Sequence, residues 1–211
     1  MQKMTPLTPG YYYHIYNRGN NREPIFFSDD NYRYFLKGYA EHITPVADTF
    51  AYCLLPNHFH ILVQIKEYQE TLSEAKTSQH FSNFFNSYTK SVNKAYQRTG
   101  SLFEKRFGRI LIESHEQLQW LVVYIHRNPQ KHGLVTDFRH YRYSSYQTIL
   151  KIGNPSKASA ITSGTKIKVD PVLSWFGGLS PFVHAHEFEH PQGTEENLRG
   201  FKNLVGLDDA E

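Results

Sequence analysis

Residues 56–63, PNHFHILV, set two imidazoles two positions apart at the head of an apolar run. Side chains alternate along a strand, so His58 and His60 share one face and Phe59 takes the other. Two imidazoles on one face are open to three chemistries: solvated surface, a hydrogen-bonded pair, or two ligands of one metal. A second pair lies in residues 114–129, SHEQLQWLVVYIHRNP, where Tyr124 and Asn128 stand four apart and so share a helix face. Tyr124 brings a phenol and Asn128 an amide oxygen. If that face covers the histidines, His58, His60 and Asn128 would hold a divalent cation with positions left open, as a catalytic metal needs. Imidazoles also suit Zn²⁺, Fe or Ni, whereas an oxygen ligand and a phosphate favour Mg²⁺ or Mn²⁺.

Those groups have to be positioned by a fold, and the sequence outlines one. Residues 11–19, YYYHIYNRG, alternate and end in a Gly-Asn-Asn turn, which predicts a strand. His14 on it is expected to be a packed or hydrogen-bonded histidine. Residues 28–43 begin with capping types and space Tyr32, Phe35, Leu36 and Tyr39 as a helix, with Pro45 ending it. Residues 48–55 and 58–65 form a hairpin about Pro56-Asn57. Residues 67–78 are polar and expected as a loop. Phe81, Phe84, Phe85, Tyr88, Val92 and Tyr96 mark a helix over 79–100. GRILIES (108–114) predicts a fourth strand, and Ser114 caps a third helix that should stop near Asn128, because a residue before proline resists the α conformation. The order β-α-β-β-α-β-α predicts an α+β fold, a ferredoxin-like antiparallel sheet with helices packed on one face, plus a C-terminal extension. The expected division is a catalytic domain over 1–150 and a linker and extension with an acidic tail over 151–211. Within these, residues 138–150 predict a loop and short helix, 151–168 a Ser/Gly/Lys-rich linker, and 169–178 a small docking element.

Composition narrows the function classes. No apolar run reaches bilayer-spanning length, and residues 1–10 lack the apolar core of a secretory signal. The single cysteine, Cys53, precludes an intramolecular disulfide and is expected as a small core residue, so a cytoplasmic location and no membrane partner are expected. Net charge is +3, but residues 187–211 hold seven acidic and two basic side chains, so that −5 leaves +8 on the first 186. A basic body, in a chain with 15 Tyr, 15 Phe and 2 Trp, suits a polyanion with unpaired bases to stack. Lys90, Lys94 and Arg98 recur every four residues, Lys105, Arg106 and Arg109 cluster before and within the fourth strand, and Arg127 and Lys131 flank the Tyr124 face. Each is a candidate phosphate contact, against the plainer reading of a wet surface charge. His184, His186 and His190 with Glu187 are expected as solvated surface, and His126, two residues from Tyr124, falls on the opposite helix face.

The motif PNHFH, with an apolar residue between its histidines, resembles the HUH motif of single-strand nucleases. YIHRNPQKHGLV (124–135) resembles the nucleophile helix of the single-tyrosine HUH transposases, and of their REP-associated tyrosine transposase branch in particular. YNRGNNREPIF (16–26) and GSLFEKRF (100–107) match that branch too, so the resemblance covers about residues 11 to 146. Gln130 and His132 depart from the valine and alanine often found after the Asn-Pro, and the region past about 151 has no counterpart. The resemblance implies that Tyr124 attacks single-stranded DNA, leaving a 5′-phosphotyrosine and a 3′-hydroxyl, with Mg²⁺ or Mn²⁺ at His58, His60 and Asn128. A free phenol with pKa about 10 is ionised in only about one molecule in a thousand at neutral pH. That scarcity is worth about 4 kcal/mol of barrier, within what a cation at the phosphate recovers. Single-stranded or hairpin DNA is the expected partner, and a monomer the expected state, with a dimer as the alternative. Two other readings stand beside this one: a domain that grips structured single strands without cutting, and a metal phosphodiesterase that uses water and leaves no adduct.

Overall fold

A computed structural model describes residues 5–67, 74–104, 106–154 and 166–188. Strand β1 (Tyr12–Arg18) leads to α1 (Asp29–Ile43), then the hairpin of β2 (Ala47–Leu55) and β3 (His58–Ile65). Helix α2 (Glu74–Ala95), β4 (Gly108–Ile112) and α3 (His115–Lys131) follow, and α4 (Tyr146–Ile152), α5 (Val169–Phe176) and α6 (Leu179–Ala185) complete the described elements. The sheet is antiparallel with order β2-β3-β1-β4. The α+β class and the ferredoxin-like sheet thus hold.

The element order predicts helices on one face, but they cover both. Helices α1 and α2 bury Phe35, Tyr39, Phe84 and Tyr88 against Tyr13, Ile15, Phe59, Ile61 and Val63. On the other face α3 lays Leu118, Leu121, Val122 and Ile125 over Ala51, Cys53, Leu55 and Leu62, together with Val172 of α5 and Phe182 of α6. The reason is in the strands. Both sides of β2 are apolar, and Leu62 of β3 adds to the α3 side beside the two histidines, so the sheet must be covered twice. At about 1.5–3 kcal/mol for each large apolar side chain buried, neither face can be left wet. Residues 166–188 thereby share a core with α3 and β2.

Three boundaries also move, the first being the end of α2, which stops at Ala95 and leaves Tyr96 and Arg98 beyond the helix. Helix α2 starts at Glu74, so residues 74–78 of the expected loop are helical. Helix α3 does not stop at Asn128 but carries Pro129 inside it and runs to Lys131. Its stop is a glycine device: Gly133 takes φ +66°, its N–H donates to the Gln130 carbonyl at 3.0 Å, and Leu134 N–H donates to the Pro129 carbonyl at 2.9 Å. Those two bonds satisfy end carbonyls that a stop at Asn128 would have placed elsewhere. The predicted cap at the other end is present, with Ser114 Oγ accepting from Gln117 N–H at 3.2 Å. Residues 155–165 of the expected linker and residues 189–211 of the expected acidic tail, His190 included, lie outside the described residues.

His186, expected as solvated surface, is 1% exposed. Its Nδ1–H donates to the Phe182 carbonyl at 2.7 Å, and its Nε2 meets His126 Nδ1 at 2.8 Å. His126 Nε2 in turn meets Ser145 Oγ at 2.8 Å, and Ser145 Oγ accepts from Tyr52 N–H at 2.9 Å. The chain of bonds closes with both imidazoles neutral and ties α6 to α3, α4 and β2. His126 does face away from Tyr124, as its spacing predicts. His184 is exposed, 3.2 Å from Glu187.

Burial pulls the His186 imidazole down to about 4, with the Arg127 guanidinium acting in the same direction and the Phe182 hydrogen bond against it. A histidine that binds its proton more weakly folded than unfolded stabilises the fold fully above its ordinary pKa of about 6.5. That contribution drains away as pH falls toward 4. Stability should therefore drop by about 3 kcal/mol from this group between pH 7.5 and pH 4. Denaturant unfolding at the two pH values checks it, since His186→Leu should flatten the dependence by that amount.

Among the described residues no helix is long and apolar enough to cross a membrane.

Candidate active site

Strand pairing places the histidines. Tyr16 stands opposite His60 and Arg18 opposite His58, and the even-numbered side chains of β3 face α3. His58 is 5% exposed and His60 fully buried, with ring centroids 5.2 Å apart and planes at 86°. Across the gap, α3 brings Tyr124 edge-on to His60 at 5.4 Å between centroids, and Asn128 to His58, with Asn128 Oδ1 3.3 Å from His58 Nε2. All four residues singled out in the sequence therefore converge from one chain.

The protonation of His58 can be followed through its neighbours. Asn57 Nδ2 donates to the Arg22 carbonyl at 3.2 Å, which turns its Oδ1 toward His58 Nδ1 at 2.7 Å. An amide oxygen only accepts, so a neutral His58 carries its proton on Nδ1 and presents a lone pair on Nε2. That lone pair faces Asn128 Oδ1, another acceptor. Two acceptors confronting each other in a buried site ask for a cation between them. Ligand atoms about 2.1 Å from an ion and at right angles to each other lie about 3.0 Å apart, close to the gap found here. Turned over, the same amide would donate to His58 Nε2, the pairing suited to a site holding no ion. Among the described residues no three His, Cys, Asp or Glu side chains converge as a metal cage, and the Asn128 amide oxygen is the further donor atom beside the histidine pair.

Tyr124 is held on three sides. Trp120, one turn earlier, stacks on it at 5.2 Å and 7°, Lys131 Nζ lies 5.4 Å from the ring centre, and His60 closes the edge. The four-residue step from Trp120 to Tyr124 was a legible signal for this stack, though only Asn128 was read from that spacing.

Other residues around the site were not assigned to it from the sequence. Tyr16 stacks toward His60 at 6.5 Å and rests on Gly108, its cross-strand partner. A methyl at position 108 would lie 2.2 Å from Tyr16 Cζ. Gly108→Ala is accordingly expected to cost about 1–3 kcal/mol by forcing the ring off its seat. Thermal or denaturant unfolding in a Tyr16→Ala background should recover most of that loss, because the three nearest atoms all belong to the Tyr16 ring. His132, one of the two departures from the family pattern, packs its ring 4.9 Å from His58.

The basic candidates scatter. Lys131 is at the site. Arg127 is not, because its Nη1 donates to the His186 carbonyl at 2.6 Å and its guanidinium lies over Phe138. Lys90 and Lys94 sit on α2, across the sheet from the histidines, and Arg98, three residues past its end, pairs with Glu23 at 3.0 Å. Arg109 also turns to that side. It bonds Ser78 Oγ at 3.0 Å and lies 4.1 Å from the Phe107 ring centre, and burial pulls its guanidinium down to about 10. Arg106 is exposed, and Lys105 lies outside the described residues.

With that geometry in hand, comparison with known proteins is informative. No family model matches the chain. A curated protein of Haemophilus influenzae named as a REP-associated tyrosine transposase is 32% identical over 110 residues, 49% of this chain and 61% of that protein. The chain thus aligns with less than two thirds of that relative. A solved structure of a REP-associated tyrosine transposase bound to a REP hairpin superposes with a TM-score of 0.60, covering 79% of this chain and 98% of that one at 17% identity. The fold is shared, and the family likeness expected from the motifs is borne out.

Proposed function

We propose that this chain is a metal-assisted transesterase for single-stranded DNA, cutting and rejoining strands beside a hairpin through Tyr124. One observation carries the reading: the phenol of α3 and the lone-pair pocket of His58, His60 and Asn128 share a single buried-rimmed site. In the forward step Tyr124 Oη bonds to phosphorus and the bond from phosphorus to the 3′-oxygen breaks. The phenol proton leaves to solvent and the departing 3′-oxygen takes one up, so the products are a 5′-phosphotyrosine and a 3′-hydroxyl. Rejoining is the reverse step with another 3′-hydroxyl as attacker. The number of phosphoester bonds is conserved, so no ATP is consumed.

His58, His60 and Asn128 would hold Mg²⁺ or Mn²⁺, and a cation there supplies charge stabilisation to the phosphate oxygens. The chain's own side chains do the rest. Trp120 and His60 fix the direction of the phenol, which shortens the search for an in-line approach. The Lys131 ammonium beside the ring favours both a tyrosinate and an incoming phosphate. Exposed Arg106 is a candidate contact for the DNA backbone, while Lys90 and Lys94 could meet only a segment that wraps to the far side of the sheet. Nucleophile and ligands from one chain support a monomer.

The hairpin-bound relative favours hairpin DNA as the partner. Incubating the protein with a labelled hairpin oligonucleotide carrying a single-stranded flank, plus Mn²⁺, tests the proposal. The expected result is a protein mass raised by the 5′-phosphorylated fragment, together with a free 3′-hydroxyl product. Tight hairpin binding with no adduct under any flank sequence would favour the non-cutting alternative.

A further inference from the structure

We infer that His14 is a positioning residue that fixes the tautomer of His60, so that His60 offers its Nε2 lone pair to the site. The inference rests on the metal-assisted reading above, and concerns a residue outside the ligand set. His14 lies on β1, fully buried, on the sheet face covered by α3. Its Nε2 is 2.9 Å from His60 Nδ1. In the register His14 pairs with Leu62 and Tyr16 with His60, so the contact is a diagonal one between neighbouring strands.

A neutral imidazole has one donor and one acceptor nitrogen. If His60 Nδ1 holds the proton, it donates to His14 Nε2 and its own Nε2 is a lone pair. If His14 donated instead, His60 would carry its proton on Nε2, and a protonated nitrogen cannot bind a cation. Ligation therefore requires His14 to be the acceptor. The neighbouring histidine supplies a parallel: Asn57 Oδ1 accepts from His58 Nδ1 at 2.7 Å and leaves Nε2 as its lone pair. As the acceptor, His14 does for His60 what Asn57 does for His58. Both partners also restrain ring rotation, and a ligand that arrives already oriented loses less freedom on binding.

Two substitutions separate this role from packing. His14→Phe keeps a flat ring of similar size but removes the acceptor. His14→Gln restores an acceptor oxygen on a flexible stem. In the metal-free wild type, long-range ¹H–¹⁵N spectra should show His60 protonated on Nδ1. His14→Phe should lose that preference and His14→Gln should keep it. Mn²⁺ affinity, measured on the protein without DNA by the electron paramagnetic resonance of free Mn²⁺, should fall about 10- to 100-fold in His14→Phe. In His14→Gln it should stay within about threefold of wild type, since the acceptor is back. A wild-type His60 protonated on Nε2 overturns the inference even if the variants fail to fold. So does a folded His14→Phe that binds Mn²⁺ as wild type does. Wild-type protein that shows the Nδ1 proton but neither binds Mn²⁺ nor forms a DNA adduct points elsewhere: the functional reading fails while the tautomer lock stands.

Discussion

Tyr124→Phe should eliminate the covalent protein–DNA adduct and lower strand cleavage by on the order of 10⁴-fold or more. The substitution removes one oxygen and leaves the ring. The stack on Trp120, the edge contact to His60 and the Lys131 ammonium all act on the ring itself, so the helix and the pocket should persist. Hairpin affinity should accordingly change by no more than a fewfold, and unfolding should be close to wild type. A denaturing gel or intact mass reads the adduct, and filter binding with the same oligonucleotide reads affinity. Cleavage that survives in Tyr124→Phe would show that water is the attacking group and replace the transesterase with a metal phosphodiesterase.

The second large effect concerns the cation. His60→Ala or His58→Ala should weaken Mn²⁺ binding by at least about 100-fold and lower adduct formation by on the order of 10³-fold, since a cation at a transferring phosphate is worth several kcal/mol. A chelator should do the same to the wild type and be reversed by added Mn²⁺. Asn128 offers a finer test. Asn128→Leu removes the oxygen that faces His58 Nε2 and should behave like the histidine variants. Asn128→Asp keeps an oxygen ligand and should retain Mn²⁺. Wild-type Mn²⁺ affinity in His60→Ala would remove the pocket from the mechanism, leaving His58 and His60 as buried structural histidines bonded to Asn57 and His14. Hairpin binding should survive in each variant, because grip on a polyanion depends on the wider basic surface.

Much of this site was legible before any fold was known. Alternation along a strand places His58 and His60 side by side, and a four-residue step on a helix does the same for Tyr124 and Asn128. The two-residue turn at Pro56-Asn57, the Ser114 cap and the apolar stripes were equally local, and the strands and helices they predict are present to within a few residues. Where local rules erred, a nonlocal term outweighed them. Pro129 was read as a stop, yet α3 runs past it because Gly133 closes the helix end. His186 was read as surface from its polar neighbours, yet the pairing with His126 and Ser145 meets its hydrogen-bond needs in the core.

The amino-acid sequence, then, determined which side chains travel together: the histidine pair on one strand face and the phenol and amide on one helix face. Only the tertiary structure decided that those faces meet, that α1 and α2 cover one side of the sheet while α3 covers the other, and that His14 comes to stand behind His60. The reason is range. Periods of two and 3.6 residues come from backbone sterics and are written in a few neighbouring positions. The choice of which faces touch belongs to strand register and to apolar burial summed over the whole chain, and short stretches of sequence carry no record of that sum.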